Sequence, residues 1–125
     1  MTLFLDACIV VYWIEAPDPF HARLMAQLGN LRREHPGATF AVSRLSLLEC
    51  LVAPVREGDA ATIEAYREFF ESSDLRIVEL SAIVIEHATT LRASLNLRTP
   101  DALQAASALA LEGDTLFLTN DKAFR

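Results

Sequence analysis

Four carboxylates fall where this sequence should be burying apolar surface. Asp6 closes the run Leu3-Phe4-Leu5, and Glu49 interrupts Leu45-Ser46-Leu47-Leu48 and Cys50-Leu51. Asp101 opens an alanine-rich segment after Thr99-Pro100, and Asp121 follows Leu116-Phe117-Leu118-Thr119-Asn120. Taken alone, an acid after an apolar strand is ordinarily a turn residue or a helix cap. Asp101 has a similar account, because the helix dipole favours an acid in the first turn. Glu49 resists one: its neighbours are apolar, and a buried carboxylate without a cation tends to take up a proton. It calls for an arginine or a metal. Mg²⁺ and Mn²⁺ prefer oxygen ligands and keep several waters, so a few carboxylates around a pocket suffice. Such a site lowers the pKa of water and stabilises charge on an attacked phosphate, the metal route to phosphodiester hydrolysis. Thr119 and Asn120 have the hydrogen-bonding groups to orient a ligand, water or phosphate there.

The elements that must position these acids follow from periodicity and caps. Residues 2–6 read as a short buried strand and 7–15 as a helix broken by Ala16-Pro17-Asp18-Pro19. Phe20, Leu24, Leu28 and Leu31 recur at helical spacing before Pro36-Gly37. A second strand over 39–42 leads to Ser43, read as the N-cap of a helix over 44–55. Asp59 caps an amphipathic helix bearing Ile63, Tyr66, Phe69 and Phe70. A third strand spans 75–80, and Ser81 opens a helix with Val84, His87, Leu91 and Leu95. Thr99 reads as the N-cap of a helix that has Pro100 at its first position and runs to about Glu112, before a fourth strand over 115–118. Strands alternating with helices imply an α/β fold with a mostly parallel sheet covered on both faces. Ligands of such sheets bind beyond the carboxyl ends of the strands, where Asp6 and Asp121 both fall.

Composition narrows the function. A chain of 125 residues has the length of one domain, and 52% hydrophobic with 22% charged residues is a globular balance. No apolar run is long enough for a membrane span, and the N-terminus lacks a basic region before its apolar stretch, so the reading is a cytoplasmic protein. Two cysteines, Cys8 and Cys50, are too few for a disulfide framework. A net charge of -6 disfavours a general nucleic-acid sleeve but not a nuclease, whose metal offsets its carboxylates. His21, His35 and His87 form no paired ligand motif, and there is neither a Gly-rich phosphate loop nor a nucleophile elbow.

Leu5-Asp6-Ala7, Ser43-Arg44-Leu45 with Glu49 beyond it, Thr99-Pro100-Asp101-Ala102-Leu103-Gln104-Ala105-Ala106 and Thr119-Asn120-Asp121 together resemble a PIN-domain ribonuclease, in particular the VapC-like toxins of bacterial toxin–antitoxin pairs. The resemblance spans essentially the whole chain. It implies a three-layer α/β/α sandwich over residues 1–125, an acidic pocket for Mg²⁺ or Mn²⁺, and endonucleolytic RNA cleavage. It also implies a homodimer and a cognate antitoxin whose C-terminal segment wraps the toxin and blocks the site. By position Asp6, Glu49, Asp101 and Asp121 become the catalytic, metal-site acids. Asp6 and Asp101 are then the firmest ligands, with Glu49 and Asp121 acting through water or with a second metal. Arg44 and Arg98 are candidates for phosphate contact or for pairing with the acids.

Two departures stand out. Cys8 occupies a position where the family commonly carries Ser, Thr or Asn, and a thiol is the weaker hydrogen-bond partner. Relatives usually continue past the fourth acid into a final edge strand, so a sequence stopping at Arg125 is either cut short or leaves that edge open. These departures support the competing reading, a catalytically weak PIN-fold module that binds a protein partner, for which Tyr12, Trp13 and Phe20 could form a surface. A phosphoacceptor receiver domain also carries acids at strand ends, but it needs a lysine after a late strand, and Lys122 directly follows Asp121.

Overall fold

Thr2-Leu3-Phe4-Leu5 offers too little polarity to face water, and the sheet sets it at the centre. The computed structural model describes residues 1–120. Its elements are β1 Thr2–Leu5, α1 Ala7–Glu15, α2 Phe20–Glu34, β2 Thr39–Ser43, α3 Leu45–Glu57, α4 Ala60–Glu71, β3 Leu75–Val78, α5 Ala82–Leu95, α6 Thr99–Leu109 and β4 Thr115–Leu118. The strands lie in the order β3-β2-β1-β4, and each neighbouring pair is parallel. Helices cover both faces, the α/β/α sandwich expected from strands with near-continuous apolar runs.

Side chains alternate across each strand. Leu5 and Val42 point into a core that takes Val10 from α1, Leu28 from α2, Cys50 from α3 and Tyr66 and Phe70 from α4. Phe4 and Ala41 point the other way, onto Ala108 and Leu111 at the end of α6. There Phe4 stacks on Phe117 with ring centroids 5.5 Å apart. Helices α5 and α6 pack together through Val84, Ala88, Ala102 and Ala106. Leu3, Phe4 and Leu5 are wholly inaccessible to solvent, as a central strand requires.

The route of the chain creates the site. It fills β1, β2 and β3 outward in one direction, then returns through α5 and α6 to lay β4 on the other side of β1. Strand order therefore reverses between β1 and β4, and the crevice beyond their carboxyl ends is where such sheets bind ligands. Asp6 and Thr119 are the first residues past those two ends.

Several element boundaries differ from the sequence reading. Ser43 ends β2 instead of capping a helix, although its Oγ still accepts from the Leu45 N–H at 3.2 Å. Helix α3 continues through Pro54 to Glu57 and stops at Gly58, whose φ of 67° is the left-handed C-cap conformation. β3 ends at Val78, because Glu79 turns out to meet Arg44. Arg98, not Thr99, is the N-cap of α6, which places Pro100 second in the helix. That helix ends at Leu109, short of Glu112, so that Leu111 can turn under Phe4. Asp59 and Ser81 cap α4 and α5 as expected, accepting from the N–H groups of Thr62 and Val84.

Phe4 carries much of the packing between the sheet and α6. Phe4→Ala should lower unfolding stability by about 3–5 kcal/mol, measured by urea denaturation; a loss below about 1 kcal/mol would contradict the described packing.

Candidate functional site: an acid cluster at the carboxyl ends of the strands

The Asp6 N–H donates to the Leu118 carbonyl at 3.0 Å, tying the end of β1 to the end of β4. Asp6 Oδ1 accepts from the Ala7 N–H at 2.8 Å and caps α1. The ordinary reading of such an acid is thus correct, but the cap occupies one oxygen. Oδ2 turns toward β4, where the Thr119 hydroxyl donates to it at 2.7 Å and the Cys8 thiol at 3.6 Å. Thr119 thereby supplies the strong hydroxyl donor that position 8 lacks. Burial pushes the Cys8 thiol up in pKa, opposed by the Asn120 N–H and reinforced by the Asp6 charge, so Cys8 remains a neutral thiol at pH 7.

Asp101 lies in the first turn of α6 and is buried like Asp6, each 6% exposed. Its Oδ2 accepts from Arg98 Nε at 3.1 Å. Glu49 is half-buried on α3, with Oε1 accepting from Gln104 Nε2 at 2.8 Å. Burial lifts Glu49 above the usual carboxylate range; the Gln104 hydrogen bond opposes this, the charges of Asp6 and Asp101 add to it, and Arg98 offsets part. Glu49 therefore feels two of the other expected acids, Asp6 and Asp101, at the switch point. Asp121, the fourth, lies outside the described residues.

Arg44 sits at the same end of the sheet but is committed elsewhere. Its Nε and Nη2 donate to the two carboxylate oxygens of Glu79 at 2.8 and 2.6 Å, and both side chains are solvent-exposed. Arg98 is the guanidinium that reaches the acids. Among the described residues no three His, Cys, Asp or Glu side chains are grouped tightly enough to grip a metal ion as they stand. The donor chemistry nevertheless fits a hard divalent cation: carboxylate oxygens with a hydroxyl beside them and no imidazole. The mutual repulsion recorded at Glu49 is what such a cation would relieve.

The sequence reading missed a buried polar seam that supports the acids. Gln104 Nε2 also donates to Ser46 Oγ at 3.0 Å, and the hydroxyls of Ser107 and Ser43 pair at 2.9 Å. Asp101, Gln104 and Ser107 are spaced three apart, as are Ser43, Ser46 and Glu49, and the two rows meet head to tail. That spacing was the available signal.

A cleft of about 600 Å³ lies at the other end of the sheet, beside the first residues of β2 and β3. Trp13, Phe40 and Phe69 wall it together with Arg32 and Arg76. Trp13 meets Phe40 and Phe69 edge-on at 5.5 and 5.1 Å between centroids, and Arg32 sits over Phe40. No helix among the described residues is long and apolar enough to cross a membrane.

The fold agrees with the comparison to known families. The sequence pattern of the PIN domain matches residues 3–125, and the chain belongs to that family. Among solved structures, VapBC2 of Rickettsia felis bound to a promoter DNA fragment is similar at a TM-score of 0.74 and 24% identity, covering 99% of this chain and 91% of that one. A toxin–antitoxin complex from Klebsiella pneumoniae gives 0.73 at 21% identity, covering 99% and 90%. VapC20 of Mycobacterium tuberculosis, a toxin that cleaves the sarcin–ricin loop, gives 0.63 at 17% identity, covering 83% and 78%. What the three share with this chain is the fold. No curated protein sequence matches the chain.

The raised pKa of Glu49 has a consequence for stability. The folded chain retains a proton that the unfolded chain has released, so metal-free stability falls as pH rises from the ordinary carboxylate range through the raised value. Glu49→Gln keeps an acceptor for Gln104 but cannot ionise. In chelator it should melt higher than the parent at pH 7, with the difference vanishing below about pH 4; an equal difference at both pH values would contradict the assignment.

Proposed function

We propose that this protein is a metal-dependent endoribonuclease toxin of the VapC type, hydrolysing RNA phosphodiester bonds at the acid cluster and neutralised by a cognate antitoxin. The observation that carries the reading is the meeting of buried Asp6 and Asp101 with Glu49 at the switch point of a PIN-domain sheet. Asp6, Asp101 and Glu49 would hold Mg²⁺ or Mn²⁺, with Asp121 as the fourth acid. When bound, the cation supplies Lewis-acid stabilisation of the charge that develops on an attacked phosphodiester. Thr119 orients the Asp6 carboxylate through its 2.7 Å hydrogen bond, and Asn120 stands beside it at the rim. Arg98 is largely exposed and its Nε pairs with Asp101, and a guanidinium at this position can exchange the carboxylate for an RNA phosphate once a cation takes its place. Arg44 is a less direct phosphate candidate because Glu79 already neutralises it.

The neighbouring folds named as toxin–antitoxin complexes support an antitoxin partner. The aromatic cleft with Arg32 and Arg76 suits an anchor side chain of that partner flanked by acidic residues, and Tyr12 and Phe20 are exposed on the adjoining helices. Exposed Ile83, Ile85 and Leu95 along α5 support a self-associating face and a homodimer.

Two experiments test this reading. RNA cleavage should require Mg²⁺ or Mn²⁺, stop with chelator, and fall at least about 100-fold in Asp6→Asn. Cleavage that survives chelation or that substitution would sink the nuclease assignment. Trp13→Ala should weaken binding to the protein encoded beside this chain about 30-fold or more, while leaving Mn²⁺ binding by calorimetry unchanged. Undiminished binding would move the antitoxin off the cleft.

A further inference from the structure

Gln104 is 1% exposed, more deeply buried than Asp6 or Asp101, and it lies between two helices instead of at a surface. Its amide Nε2 has two hydrogens and places one on Ser46 Oγ at 3.0 Å and the other on Glu49 Oε1 at 2.8 Å. The orientation of the amide is dictated by chemistry, because an ionised carboxylate accepts and cannot donate. Its oxygen, Oε1, is buried with no hydrogen-bond partner among the described residues. An orphaned buried acceptor costs about 1–3 kcal/mol. A residue serving only to join α3 to α6 would do so better as leucine or methionine, which leave no buried acceptor unsatisfied. The orphan is consistent with a side chain that commits both donors in one direction.

We propose that Gln104 is a positioning residue for Glu49: anchored by Ser46, its amide fixes the carboxylate beside Asp6 and Asp101 and thereby sets the affinity of the cluster for a divalent cation. This rests on the metal-site reading above. A glutamate at a half-buried position has three side-chain torsions to settle, and Ser46, fully buried in the first turn of α3, gives the amide a fixed post. The Ser43–Ser107 pair continues the same seam without touching Glu49, so it shares the structural role and not the positioning one.

The test is Mn²⁺ binding by calorimetry together with thermal melting on Gln104→Met, Ser46→Ala, Ser107→Ala, Glu49→Gln and Asp6→Asn. Gln104→Met should bind Mn²⁺ about 10–100-fold more weakly, and the Mn²⁺ concentration for half-maximal RNA cleavage should rise in parallel while kcat at saturating Mn²⁺ falls less. Ser46→Ala should show a smaller loss, and Ser107→Ala should stay within about twofold of the parent even where its melting temperature drops. Parent-like affinity in Gln104→Met alongside lost affinity in Glu49→Gln overturns the proposal and leaves the metal site standing. If Gln104→Met does not fold, unchanged affinity in Ser46→Ala overturns it instead. Parent-like affinity in both Glu49→Gln and Asp6→Asn removes the metal site and this proposal with it.

Discussion

Like charges held close together at the edge of an apolar core set the terms for everything around them. Asp6 and Asp101 are buried, and Glu49 feels both. In a medium less polar than water such repulsion is strong, and each carboxylate must be met by a donor or a cation. The surrounding residues answer acid by acid: a helix N-terminus and a threonine hydroxyl for Asp6, a guanidinium for Asp101, an amide for Glu49. These partners come from α1, the end of β4 and α6, and the acids from the end of β1, α3 and α6, so the cluster links elements that the apolar core alone would leave separately packed. The network holds its members in place because each has few alternative partners.

The parallel sheet also sorts chemistry by end. Every strand presents its carboxyl end on the same side, which gathers the acids, their hydroxyl and amide partners and Arg98 there. The amino ends of β2 and β3 carry the aromatic cleft with Arg32 and Arg76. On the functional reading proposed above, catalysis and restraint begin at different places on the protein. A partner anchored in the cleft must extend along the molecule to reach the acids.

Much of this was legible in the sequence, for identifiable reasons. Asp59 and Ser81 act locally, each bonding to an N–H three residues ahead, so their capping could be read from neighbours alone. The apolar runs of β1 and β4 announced buried strands in the same way. Thr99 was misassigned as a cap because Pro100 favours the first helical position, whereas the approach of α6 to the sheet starts the helix one residue earlier. Glu49 could be singled out by its apolar neighbours, but its partner Gln104 is 55 residues away, and no local pattern marks that contact. The polar seam between α3 and α6 exists only once the fold brings two three-residue spacings face to face. Cys8, a departure from the family pattern, looked like a lost helper; Thr119 from the opposite end of the chain occupies that role.

The pairing of β1 with β4 has a consequence for how the protein comes into being. Asp6 leaves the ribosome 113 residues ahead of Thr119, and β4 is the last described strand to be made. During synthesis β1 can pair with β2, and β2 with β3, yet one side of β1 stays open until β4 has been made. The crevice that holds the acids has no second wall before then. A nascent chain that has not yet reached β4 therefore carries Asp6, Glu49 and Asp101 without an assembled pocket.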